Sequence, residues 1–147
     1  MPAWPAIVRH TGTMMNDQCP CGAGQAYDDC CGRFHRGEAS PPTADALMRS
    51  RYSAFAVGNV GYLWETWHPR TRPVQVILPE GGRWTGLDVL SRSGGGVFDT
   101  DGTVEFEAHY EIAGQIGIER QNSKFVRENR RWLYVGDVPS VLESAER

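Results

Sequence analysis

Thr103-Val-Glu-Phe-Glu-Ala-His-Tyr-Glu-Ile112 alternates without a break: Val104, Phe106, Ala108, Tyr110 and Ile112 fall on one face of an extended chain, and Glu105, Glu107, His109 and Glu111 on the other. A period of two marks a strand with one face buried and one in water, so this stretch predicts an antiparallel sheet over a core. Its neighbours read the same way. WTGLDVLSR (Trp84–Arg92) precedes it, ERQNSKFVRE (Glu119–Glu128) and RRWLYVG (Arg130–Gly136) follow it, and Glu128-Asn129-Arg130 reads as the turn between the last two. The glycine-rich SRSGGGVFDTDG (Ser91–Gly102) predicts a mobile connection; its Asp99 and Asp101 match only part of a calcium loop, so a solvated turn is expected.

Upstream the period changes. In ADALMRSRYSAFAVGN (Ala44–Asn59), Ala44, Leu47, Met48, Tyr52 and Phe55 recur at spacings of three and four, one apolar stripe of an amphipathic helix. Thr43 suits its N-cap, Asp45 its first turn, and Gly58-Asn59 its end. VGYLWETW (Val60–Trp67) predicts a second, short helix that closes before Pro69, with Trp64 and Trp67 sharing a face. Helices followed by a run of antiparallel strands give an α+β class.

All four cysteines lie in DQCPCGAGQAYDDCCGRFHRG (Asp17–Gly37), spaced C-x-C-x8-C-C. A chain of 147 residues buries a core without staples, so the thiols are not needed to hold up a coreless fold. Four thiolates match a closed, structural zinc site, one ion per chain, held by Cys19, Cys21, Cys30 and Cys31. Pro20, Gly22 and Gly24 shape the tight knuckle, and Arg33 and Arg36 stand close enough in sequence to offset the excess negative charge. A vicinal Cys30–Cys31 disulfide would close a strained ring, and the spacing differs from that of common redox pairs and iron–sulfur sites. The module has few apolar residues, chiefly Tyr27 and Phe34, so it is expected to fold on its metal while the downstream domain stands without it.

CPCGAGQAYDDCC resembles the SEC-C motif, the zinc module found at the C-terminus of the SecA translocation ATPase and in small bacterial proteins. DALMRSRYSAF, TWHP, VEFEAHY and SKFVRENRRWLYV resemble the uncharacterised bacterial YchJ-like family, in which such a module precedes a domain similar to nuclear transport factor 2 (NTF2). The resemblance runs from about Asp17 to Asp137. It implies the same four cysteine ligands and a cone-shaped, curved antiparallel sheet packed on N-terminal helices. It also implies a division into an N-terminal extension at 1–15, expected to be disordered, a zinc module at 16–37 and an NTF2-like domain at 38–147. Three positions depart from the pattern: Asp28 and Asp29 stand where SEC-C modules carry lysines, and Gln121 stands where the family has a glutamate.

A cone of this kind encloses a cavity, for which the sequence offers Arg51, Tyr52, Trp67, His68, Trp84, Tyr110 and Ser123 as ligand-binding candidates, with Arg49 and Gln121 beside them. For His68 the plainer role is to bond free carbonyls at the helix end, and for His109 surface exposure. The reading that fits best is a zinc-bearing adaptor or ligand-binding protein: a protein partner docks on the cysteine module, and a small ligand or peptide occupies the cone. An enzyme using His68 with Tyr52 or Tyr110 is the alternative, and a purely structural homodimer with a filled cavity is a third. A net charge of −3 argues against nucleic acid. No apolar run is long enough to span a membrane and the start lacks a secretory apolar region, so cytoplasmic residence is expected.

Overall fold

The computed structural model describes residues 18–78 and 81–138, so the expected extension at 1–15 lies outside the described residues. A single 3-10 turn (Tyr27–Asp29) leads into helix α1 (Cys31–His35), followed by α2 (Ala44–Val57) and α3 (Val60–Glu65). Four strands then form an antiparallel meander in the order β1-β2-β3-β4: β1 Arg83–Gly94, β2 Asp101–Ile112, β3 Gln115–Glu128 and β4 Arg131–Asp137. No described helix is long and apolar enough to cross a membrane.

The turns explain the register. Ala113-Gly114 and Asn129-Arg130 are two-residue links whose four φ angles are all positive, the backbone that matches the twist of a hairpin. Bulges between Trp84 and Gly86, between Val89 and Ser91, and between Lys124 and Phe125 interrupt the ladder and bend the strands locally. The alternation of β2 holds: Val104 and Ala108 are buried, while Glu105, Glu107, His109 and Glu111 pair with Arg120, Arg120, Asp88 and Arg83 on the other face.

The glycine-rich link is more ordered than its composition predicts. Ser91–Gly94 continue β1, and Gly95 is buried against Ala44 while its carbonyl accepts the Ala44 N–H at 3.0 Å. A Cβ on Gly95 would stand 2.8 Å from that of Ala44, so glycine is what lets the loop close over the helix start. Asp99 accepts the Gly96 N–H and shapes the turn.

Helix α2 begins where Thr43 Oγ1 accepts the Ala46 N–H and ends at Gly58 in the left-handed region. Its Ala44, Leu47 and Met48 join Val104, Phe125 and Trp132 in the main core. The expected stripe is only half of its buried surface: Ser50 and Ser53, on another side, have no solvent exposure at all. A short helix follows, capped by Asn59, and it ends at Glu65, earlier than the sequence predicts. Trp67 leaves it to form a parallel bridge with Tyr134, so Trp64 and Trp67 share no face. Trp64 instead stacks under the Arg72 guanidinium.

Arg130 occupies a left-handed φ of 67°. Arg130→Gly is therefore expected to stabilise the protein by roughly 0.5 to 1 kcal/mol, net of glycine's extra freedom when unfolded. Urea denaturation of the variant beside the parent measures it.

Candidate functional site

Two features converge on α2 from opposite sides: a cysteine centre and a cavity. The Cys19-Pro20-Cys21-Gly22 knuckle is closed by Cys19 N–H donating to Gln25 O at 2.8 Å and Gly22 N–H donating to Cys19 O at 3.1 Å. Gly22 and Gly24, at φ 81° and 90°, supply the left-handed backbone that the turn requires. Cys30 and Cys31 sit at the start of α1, which packs on the 3-10 turn because Gly32 has no Cβ to strike Tyr27 O. All four thiols are free and buried, and their sulfurs lie within 4.8 Å of one another. This donor set could hold a metal ion.

The electrostatics of the set favour a cation. Hydrogen bonds from Cys21 and Cys31 pull the Cys19 thiol well below its ordinary value, so one thiolate is solvated by its neighbours. Burial and that charge push Cys30 up to about 12, and the hydrogen bond to Cys19 sends Cys31 upward as well. Without an ion the set thus favours one thiolate among thiols; with all four deprotonated, a cation between them would be required to offset their repulsion.

The module is bolted to α2 by contacts the sequence does not advertise. Ser53 Oγ lies 3.3 Å from Cys19 Sγ, and Arg49 Nη1 donates to Cys21 O at 3.1 Å. His35 bonds Tyr27 OH through Nδ1 and donates from Nε2 to Ser50 O at 2.8 Å, its ring packed on Tyr62. Burial holds His35 below its ordinary value and so neutral. Phe34 packs against Ala54, Tyr62 and Leu63. Arg49, expected near the cavity, thus serves the cysteine side. Arg33 donates to Cys30 O, whereas Arg36 turns to Glu38 and Asp28.

On the far side of α2 lies a cavity of about 350 Å³ between the helix and the inner face of the sheet. Of the candidates, Arg51, Tyr52, Trp67, Trp84 and Ser123 line it, together with Gln121. His68 and Tyr110 do not. The parallel bridge at Trp67 sends the two neighbouring side chains to different sides: Trp67 lines the cavity, whereas His68 is buried away from it, where Nε2 meets Glu128 at 3.1 Å and Nδ1 accepts the Arg70 N–H. Tyr110 covers Gly117 on the neighbouring strand and props Trp84 edge-on. His68 paired with Tyr52 or Tyr110 is therefore not assembled in the cavity.

Arg51 is 5% exposed, and its Nη1 donates to Leu63 O at 2.8 Å and Thr66 Oγ1 at 2.7 Å. Its guanidinium lies over the rings of Tyr134 and Trp67. Burial lowers its pKa to about 10, which leaves it charged at neutral pH. Tyr134 OH and Ser123 Oγ both donate to Asp137 Oδ1, at 2.9 and 3.1 Å. Glu119, absent from the sequence candidates, lines the cavity and accepts from the Gln121 amide at 3.2 Å. Its position two residues before Gln121 on the same strand face was the available signal.

Sheet, helices and cysteine knuckle together define an NTF2-like α+β protein with an N-terminal SEC-C module. The family model described as the middle NTF2-like domain of YchJ matches residues 43–137, and the SEC-C motif model matches 15–33. The chain belongs to the YchJ-like UPF0225 family. It is 50% identical over 121 residues to a UPF0225 protein of Streptomyces coelicolor, covering 82% of this chain and 94% of the relative. A UPF0225 protein of Cupriavidus metallidurans is 52% identical over 127 residues, covering 82% and 88%. Among solved structures, a SEC-C motif containing protein from Rhodopseudomonas palustris superposes with a TM-score of 0.71 at 32% identity, covering 82% of this chain and 96% of that one.

The contacts at Ser53, Arg49, His35 and Phe34 couple the module to α2. Cys30→Ser is expected to lower the stability of the whole chain in one transition. Losing the burial of Phe34 and the bonds to α2 is worth roughly 2 to 4 kcal/mol. Calorimetry that shows an unshifted main transition would contradict this.

Proposed function

We propose that this protein is a zinc-stabilised ligand-binding protein. A shell of four thiolates is closed, so the ion has a structural role and leaves no position for chemistry. Cys21 Sγ and Cys30 Sγ are 3.6 Å apart, close to the sulfur–sulfur edge of about 3.8 Å that a tetrahedron of Zn–S bonds near 2.3 Å requires. Soft sulfur donors select zinc over calcium or magnesium.

The observation that carries the ligand-binding reading is the cavity itself. It is walled by Met48, Phe55, Phe106 and Trp84 and is not filled by the side chains of the described residues, which counts against the purely structural alternative. Trp84 is half-buried, packed edge-on by Tyr52, Phe55 and Tyr110, and so serves as wall more than core. The metal centre on one side of α2 holds in place the helix that supplies Arg51, Tyr52 and Phe55 on the other. The module's outward face remains the place for a protein partner.

Native mass spectrometry of protein purified without chelators tests both halves. One zinc per chain and a retained small molecule are expected; iron, or no metal with reduced thiols, would contradict the first half. Trp84→Ala is expected to cost about 1 to 2 kcal/mol, less than the 3 to 5 typical of a buried aromatic, and to abolish retention of the molecule. A full core-sized loss together with no retained ligand in the parent would return the structural alternative.

A further inference from the structure

Resting on that reading of the cavity, we infer that its ligand carries a carboxylate on a flat or short apolar body, bound by Arg51 at the floor. Three observations lead there. The first is an unbalanced buried charge. Arg51 is 5% exposed, and among the described residues no carboxylate forms an ion pair with it. Asp137 acts on it only at a distance, and its Oδ1 is already taken by Tyr134 and Ser123. A guanidinium taken out of water without a counter-charge is costly, and an anion entering the cavity removes that cost.

The second is the geometry of its remaining donors. Nη1 is consumed by Leu63 O and Thr66 Oγ1. Nε and Nη2, which meet no acceptor among the described residues, share one edge of the guanidinium plane. That edge engages both oxygens of a carboxylate with parallel bonds. A second unanswered donor stands beside it: Trp67 Nε1 is buried and has no partner among the described residues, although its ring lines the same cavity. Three N–H-bearing nitrogens without acceptors among the described residues, on two side chains in one apolar cavity, ask for an acceptor-rich group.

The third is the order of polarity with depth. Along β3, Glu119 is exposed, Gln121 half-buried, and Ser123 and Phe125 buried, so Glu119 stands at the mouth and Arg51 with Ser123 deep inside. Phe55 and Trp84 are half-buried and in ring contact, nearer the surface than buried Arg51 and Ser123. An acid therefore enters head first, with its apolar body between Phe55, Phe106 and Trp84. The rim carboxylate of Glu119 stays in water, where its repulsion is screened.

Phenylacetate, phenylpropionate and hexanoate, each beside its primary amide, test this on the unaltered zinc-loaded protein, with quenching of Trp67 and Trp84 fluorescence and calorimetry as readouts. Each acid is expected to bind roughly tenfold or more tighter than its amide, since the amide offers no charge to the fork. Arg51→Met is expected to abolish the preference, and Trp67→Phe, which keeps the ring and removes the N–H, to weaken the acids several-fold. Equal binding of acids and amides would overturn the carboxylate assignment while leaving the cavity a ligand site. Binding of neither, and of no neutral hydrocarbon such as ethylbenzene, would remove the ligand-binding reading itself. The acid–amide comparison needs no variant, so it decides even if Arg51→Met, which loses the bonds to Leu63 and Thr66, fails to fold.

Discussion

The contact between Ser53 of α2 and Cys19 of the knuckle is short, polar and fully enclosed, and it marks the surface on which the molecule is assembled. Helix α2 is buried on one side by Val104, Phe125 and Trp132 and on another by the cysteine centre. A helix covered all round is held in place by its neighbours more than by its own propensity. Its first turn is closed over by Gly95 and its last by the loop that carries Val76 and Leu78. Arg51 and Tyr52 are thereby fixed against a cavity whose opposite wall is the sheet.

That arrangement also explains how a charged side chain survives at the floor of an apolar cavity. Arg51 gives one nitrogen to the C-terminal end of α3, where Leu63 O has no helical partner, and lays its plane on Tyr134 and Trp67. Tyr134 in turn donates to Asp137. The carboxylate thus tempers the guanidinium through a ring and a hydroxyl, without neutralising it. Burial lowers the pKa of Arg51 only to about 10, so the positive charge persists across the physiological range.

What the sequence made legible was local. The alternation of Thr103–Tyr110, the Thr43 and Gly58 caps and the Asn129-Arg130 turn express themselves within a few residues and are found as read, and the four cysteines are found gathered as a set that could hold a metal; Ile112, at the strand end, is exposed. What it hid was set by distant neighbours. Ser50 and Ser53 look like a solvated helix face until Cys19 and His35, from a segment upstream, are laid upon them. The orientation of Trp67 and His68 was unreadable because it depends on an isolated bridge from Trp67 to distant Tyr134 just after the helix, which turns Trp67 to the cavity and leaves His68 buried elsewhere. Glu119 was overlooked for a simpler reason: a glutamate beside Arg120 reads as solvated surface, although it shares a strand face with the cavity-lining Gln121.

If, as proposed, the four cysteines hold zinc and share α2 with the cavity, removing the ion must loosen the cavity wall. Amide hydrogen exchange across Arg51–Phe55, followed before and after chelator treatment, tests this most directly. Those amides are expected to lose protection in step with the segment from Cys19 to Cys31. Unchanged protection of Arg51–Phe55, with fast exchange confined to the cysteine segment, would contradict the account.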